Sequence, residues 1–222
     1  MCRAKGRSSR RIQQEFEPIR KRYWGQRFWQ RGMLVLHGNA IEIDGKCMIC
    51  VGPSGVGKST LAAAFVKRRF RVLADDVVPI DSSGNAIPGY RRIKLWQDVA
   101  DKLGIATRDL DEIRPGMGKY NFPLGTAFCD KPIPVGMICR LSPHAKDIVE
   151  VMPVQGMERF SALYGNTYRQ QFMEGMGLQS AHLLQCGELG ARASILHVSR
   201  LKSGFRIEAL TQCLMEEMRK FA

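Results

Sequence analysis

From residue 33 onward the apolar positions fall into short blocks separated by turn-forming pairs. Met33–Leu36 and Asn39–Ile43 read as two strands, and Asp44-Gly45 is a hairpin signal before a third, Lys46–Val51. After a glycine-rich stretch the rhythm changes: Leu61, Ala64 and Phe65 share one side of a helix predicted over 58–68. Arg71–Ala74 is again a strand, ending at Asp75-Asp76, and residues 77–80 continue extended. A turn is predicted at Ser82–Gly84, a helix over 96–103, and strands over 133–141 and 148–152. Residues 157–186 read as mostly helical. The pattern then predicts a closing hairpin from 195–201 and 205–207, with a last helix over 209–220.

The segment before residue 32 follows another rule. Residues 1–10 are small, basic and polar and read as disordered. Ile12, Phe16, Ile19 and Tyr23 then recur at helical spacing, with Pro18 as a kink. Trp24, Phe28 and Trp29 add aromatic surface. The formal net charge is +13 over 222 residues, yet ten Lys/Arg against Glu15 and Glu17 put +8 of it in residues 1–31. The chain thus divides into a basic arm, 1–31, and one α/β domain, 32–222. The arm's blandest reading is a helix packed on the domain with a solvated basic face; contact with an acidic peptide, a neighbouring subunit or nucleic acid is the alternative. A chain begun near Gly32 is expected to keep nucleotide binding unless these aromatics cover apolar surface.

Composition excludes several classes. No apolar run approaches the roughly 18 residues of a membrane span, and no secretory h-region follows the basic start. Seven scattered Cys do not form a disulfide framework, which suits a reducing cytoplasm. Cys47 and Cys50 form a Cys-x-x-Cys, but on a strand an i, i+3 pair faces opposite ways, so core packing is the expected role.

The chemistry centres on Gly52-Pro53-Ser54-Gly55-Val56-Gly57-Lys58-Ser59, which fits Gly-x-x-x-x-Gly-Lys-Ser/Thr at every fixed position. A strand precedes it and a helix, entered through Thr60, follows. Glycines let successive backbone N–H groups turn toward phosphate oxygens at the helix's positive end. Lys58 is expected to reach the β- and γ-phosphates of ATP, and Ser59 to ligate Mg²⁺. Phosphoryl transfer to an alcohol also needs a metal carboxylate and a base. Asp75 and Asp76 supply them if the helix returns the chain to a parallel strand ending beside the loop. Two surface carboxylates without a role are the alternative. His37 follows an apolar strand, where a structural histidine is the commoner case; His144, His182 and His197 show no partner spacing.

Taken together, His37-Gly38, the loop fifteen residues on, and Leu73-Ala-Asp-Asp76 resemble the catalytic domain of HPr serine kinase/phosphorylase. The resemblance implies a carboxykinase-like P-loop fold using ATP and Mg²⁺. It also implies that Asp75 and Asp76 provide the base and a metal contact, with His37 beside them. Gly-Lys-Ser-Thr60 replaces the usual Gly-Lys-Ser-Glu. Pro88-Gly-Tyr-Arg-Arg-Ile-Lys-Leu-Trp96, Ile113-Arg-Pro-Gly-Met117 and Asn166-Thr-Tyr-Arg169 are similar to HPr-kinase-like proteins of lasso-peptide biosynthesis, which phosphorylate a serine near a precursor's C-terminus. The Glu-Ile-Arg-Gly segment and Pro-Gly-Arg-Asn loop of HPr kinases are absent, which argues against HPr as substrate and against reversal with inorganic phosphate. Arg92, Lys94, Arg114 and Arg169 are candidates to clamp phosphate or an acidic peptide, or else solvated charges. The expectation is a cytoplasmic serine kinase acting on a peptide. An HPr-type protein serine kinase or a small-metabolite P-loop kinase is the nearest rival, and a nucleotide-gated nucleic-acid module a more distant one. Homo-oligomerisation is left open.

Overall fold

The computed structural model describes residues 25–144, 148–201 and 206–220. The predicted disorder of 1–10 and the helical pattern through Tyr23 lie outside the described residues, as does Trp24. The described chain opens in helix at 25–30 (α1).

The next elements follow the apolar blocks: β1 (Leu34–Leu36), β2 (Gly38–Ile43), β3 (Lys46–Val51), α2 (Lys58–Lys67), β4 (Arg71–Asp75), β5 (Val78–Ile80) and β6 (Asn85–Ala86). Asp44 and Gly45 both have positive φ, 50° and 78°, as a two-residue hairpin between Ile43 and Lys46 requires. Then come β7 (Arg92–Trp96), α3 (Gln97–Leu103), β8 (Lys119–Pro123), β9 (Ile133–His144) and β10 (Glu150–Pro153). Three helices follow, α4 (Met157–Tyr164), α5 (Gln170–Gly175) and α6 (Gln179–Arg192), before β11 (Ser194–Leu201) and α7 (Ile207–Arg219).

The main sheet runs β11–β9–β3–β2–β4. Strand β9 lies parallel to both β3 and β11, and β2 is antiparallel to β3 and to β4. Strand β10 flanks β11, while β1, β5 and β6 join at the start of β9. The helix after the loop does return the chain in the direction of β3, but with β2 inserted between them. β7 and β8 form a separate antiparallel ribbon.

Alternation along β3 sorts the core. Met48 and Cys50 face α2 and α7, and Cys47, Ile49 and Val51 face the side covered by α4 and α6. Cys47 and Cys50 thus point to opposite faces, and burial pushes the Cys47 thiol well up. All six described cysteines are free.

One sequence expectation changes. Among the described residues the closing hairpin is not formed: β11 pairs with β9 and β10, and Ile207 starts α7, where Leu210, Leu214 and Met218 repeat on its buried face; Phe205 lies outside the described residues. Phe28 and Trp29 are buried, in one cluster with Val35, Val77, Tyr168 and Met173, so the described end of the arm packs on the domain. Among the described residues, no helix is long and apolar enough to cross a membrane.

Candidate active site

The glycine-rich loop connects β3 to α2 at the carboxyl ends of the parallel strands. Gly52 can only be glycine, because its φ is 138° and a Cβ there would lie 2.5 Å from the Leu141 carbonyl oxygen of β9. Lys58 is buried, and its Nζ donates to the carbonyls of Gly52 at 2.7 Å and Pro53 at 3.0 Å. The ammonium therefore lies within the curl of the loop. Burial lowers its pKa from the ordinary lysine value, against the opposing pull of Asp76 and Asp75.

Strand β4 brings the Asp pair to this loop and gives its members different surroundings. Asp75 is buried. Its Oδ1 accepts from the Ser59 hydroxyl at 3.1 Å, and its Oδ2 from the Lys94 backbone N–H at 2.9 Å. Asp76 has left the strand, at φ 74°, and is more open. Its Oδ2 lies 2.9 Å from Lys94 Nζ, and the residue lines a cleft of about 450 Å³ together with His37, Lys58 and Ser59.

His37 stands at the turn between β1 and β2. Its Nδ1 is 2.9 Å from the Asp76 carbonyl oxygen, and its backbone N–H donates to Asn166. A carbonyl only accepts, so the proton belongs on Nδ1. The ring lies 6.2 Å, centroid to centroid, from Tyr168.

Three contacts escaped the sequence reading. Asn39, paired with Asp75 across β2 and β4, is fully buried and donates from Nδ2 to the Lys58 carbonyl; its Oδ1 has no hydrogen-bond partner. Arg200 of β11 donates from Nε to the Val56 carbonyl at 2.7 Å, holding the loop from its other flank. Trp96 and Lys119 line the far part of the cleft. Asn39 follows His37-Gly38 directly, so its proximity is legible once β2 is placed; the other two depend on strands distant in sequence.

Of the four predicted clamp residues, Lys94 is the one that joins the Asp pair. Arg92 lies over the Tyr90 ring, Arg169 over Tyr168 and Phe172, and neither they nor the exposed Arg114 line the cleft. No cluster of three or more His, Cys, Asp or Glu suited to a metal is present among the described residues. Ser59 Oγ and Asp75 Oδ1 nevertheless converge as an alcohol and a carboxylate at the loop's end, a donor pair that fits Mg²⁺ accompanied by phosphate oxygens and water.

The class this geometry defines is an α/β P-loop domain with a paired-carboxylate cleft. Residues 32–101 match the family model described as the HPr Serine kinase C-terminal domain. The HPr kinase/phosphorylase of Exiguobacterium sibiricum is 39% identical over 75 residues, which are 34% of this chain and 24% of that protein. That of Caldanaerobacter subterraneus subsp. tengcongensis is 41% identical over 51 residues, 23% and 17% of the two chains. The solved Hpr(Ser) kinase/phosphatase from Coxiella burnetii aligns over 84% of this chain and 95% of its own, with TM-score 0.41 and 12% identity. Residues 1–43 also match a model described as Transposase IS200 like. The similarity to HPr kinase/phosphorylases thus lies in the segment that holds the loop and the Asp pair. The matches span about a quarter or less of the curated relatives' length.

Proposed function

We propose that the protein is an ATP-dependent kinase that phosphorylates a serine hydroxyl of a peptide, and that Asp76 is its base. The observation that carries this is the unequal setting of the two carboxylates. Asp75 is buried against Ser59, where the two would hold a phosphate-bound metal, while Asp76 opens into the cleft.

ATP supplies the phosphoryl group and Mg²⁺ neutralises charge on its oxygens. The backbone amides of 52–60 and the Lys58 ammonium orient the triphosphate. Ser59 and Asp75 would hold the metal. The Asp76 carboxylate accepts the acceptor's proton as the serine oxygen bonds to the γ-phosphorus and the bond from γ-phosphorus to the ADP oxygen breaks. His37, held by the Asp76 carbonyl, fixes the backbone that aims this side chain. The resemblance of 88–96, 113–117 and 166–169 to lasso-peptide kinases makes a lasso precursor the foremost acceptor, with an HPr-type protein or a small metabolite as the alternatives.

The test is to incubate the protein with ATP, Mg²⁺ and a lasso-type precursor, then weigh the peptide. A gain of one phosphoryl group, lost when the acceptor serine is changed to alanine, is the expected result. No gain with precursor or other serine peptides would remove the peptide reading.

A second reading is favoured by one observation, the transposase-model match over a segment that includes the +8 arm. It has the arm contacting nucleic acid. Binding to DNA or RNA that falls steeply with salt, without any phosphorylated product, would support it.

A further inference from the structure

We infer that Trp96 and Lys119 form the platform on which the acceptor peptide lies, and that they select an apolar or aromatic side chain and a carboxylate close to the acceptor serine. This inference rests on the kinase reading above and specifies its substrate.

Burial along β7 alternates: Ile93 and Leu95 face the core, while Arg92, Lys94 and Trp96 share the other face. Lys94 on that face reaches Asp76, so Trp96, two residues on, stands roughly 7 Å further along the strand. Trp96 is 44% exposed, although it lines the same cleft as Lys58, Ser59 and Asp76. Lys119, its register partner on β8, places Nζ 5.0 Å from the ring centroid. Val99, one helical turn later in α3, adds an apolar wall.

Sheet order decides which substrate this platform serves. The loop springs from β3, with the carboxylates on the β4 side and Arg200, on β11, at the opposite flank. An acceptor hydroxyl must arrive where the base is, hence on the β4 side. Trp96 stands on that side, in the same ribbon that supplies Lys94. The 7 Å step equals about two residues of extended chain, so the side chain that meets the ring is one or two residues from the serine. An aromatic surface beside an ammonium suits a flat or bulky apolar group with an anion next to it.

The test uses a positional-scanning library of synthetic serine peptides with labelled ATP and Mg²⁺. The wild type should prefer aromatic or large aliphatic residues one or two places from the serine, and acidic over basic residues nearby. Trp96→Ala should erase the apolar preference and raise KM for the best peptide about tenfold, an effect of the size aromatic contacts produce. Its KM for ATP should stay within about twofold. Trp96→Phe should keep most of the preference, which separates a lost contact from a lost fold. Lys119→Met should abolish only the acidic preference. An apolar preference that survives Trp96→Ala, or a rise in KM for ATP in place of peptide, would overturn the inference. Labelling without positional preference would overturn it and leave the kinase reading standing; no labelled peptide would overturn both.

Discussion

Lys94 holds Asp76 by its side chain, with Nζ 2.9 Å from Oδ2, while its backbone amide donates to Asp75. A single position on β7 therefore touches the proposed base through a charge and the proposed metal carboxylate through the main chain. The two contacts can be separated by mutation. Lys94→Met should spare the amide contact and remove the charge that favours ionised Asp76. The acidic limb of the pH–rate profile should then move to higher pH. An unmoved limb would show that the ion pair has no part in setting the base.

Asp76→Asn should lower kcat by about 10²–10⁴-fold, the usual worth of a general base, with little change in nucleotide affinity. Asp75→Asn should lower kcat and also raise the Mg²⁺ concentration needed for half-maximal rate. Steady-state kinetics over a Mg²⁺ series distinguishes them. If the metal requirement moves in Asp76→Asn instead, the assigned roles are reversed.

Lys58→Ala removes a buried cation that donates to two loop carbonyls. Turnover should fall by about 10²–10³-fold or more, as for loss of a preorganised donor to developing negative charge. The circular dichroism spectrum should stay unchanged, since the sheet does not depend on this side chain. Retained turnover would remove the loop from the mechanism.

His182 gives a stability prediction with a definite sign. It is buried, its Nε2 is 2.9 Å from Thr167 Oγ1, and Trp29, Tyr164 and Cys186 surround it. Burial lowers its pKa from the ordinary 6.5, so below that pH the unfolded chain takes up a proton that the folded one resists. Resistance to urea should fall as the pH drops below 6.5, and His182→Phe should flatten that part of the curve. Equal pH slopes in the two proteins would contradict the assignment.

A chain begun at Gly32 should lose stability or solubility. Removing Phe28 and Trp29 uncovers Val35, Val77, Tyr168 and Met173, and large-to-small changes at such sites cost about 3–5 kcal/mol each. A soluble, cooperatively melting protein from Gly32 onward would show that the arm is dispensable.

The sequence was most legible where local rules act alone. The loop announces itself through the fixed spacing of its glycines ahead of Lys58-Ser59, with Gly52 at a φ of 138° that side chains rarely adopt, and the Asp pair through its place at a strand end. Helix α7 is legible over 209–220, but its start is not: Phe205 and Ile207 flank Arg206 in the apolar–polar alternation of a strand. The insertion of β2 between β3 and β4 depends on pairing, which a single sequence does not encode locally. For the same reason Lys94 looked like any surface cation, and nothing distinguished it from Arg92 or Arg114 until β7 was seen beside β4.

The bond from Arg200 to Val56 joins residues 144 apart, and Gly52 is packed under Leu141. Strands β9 and β11 thus hold a loop synthesised long before them. A chain emerging from a ribosome carries the whole nucleotide motif early, yet the cradle cannot set until β11 has docked, because non-local contacts form last. Nucleotide is then a reporter of completed folding and cannot seed it: a fluorescent ATP analogue should bind arrested chains only once β11 has cleared the exit tunnel.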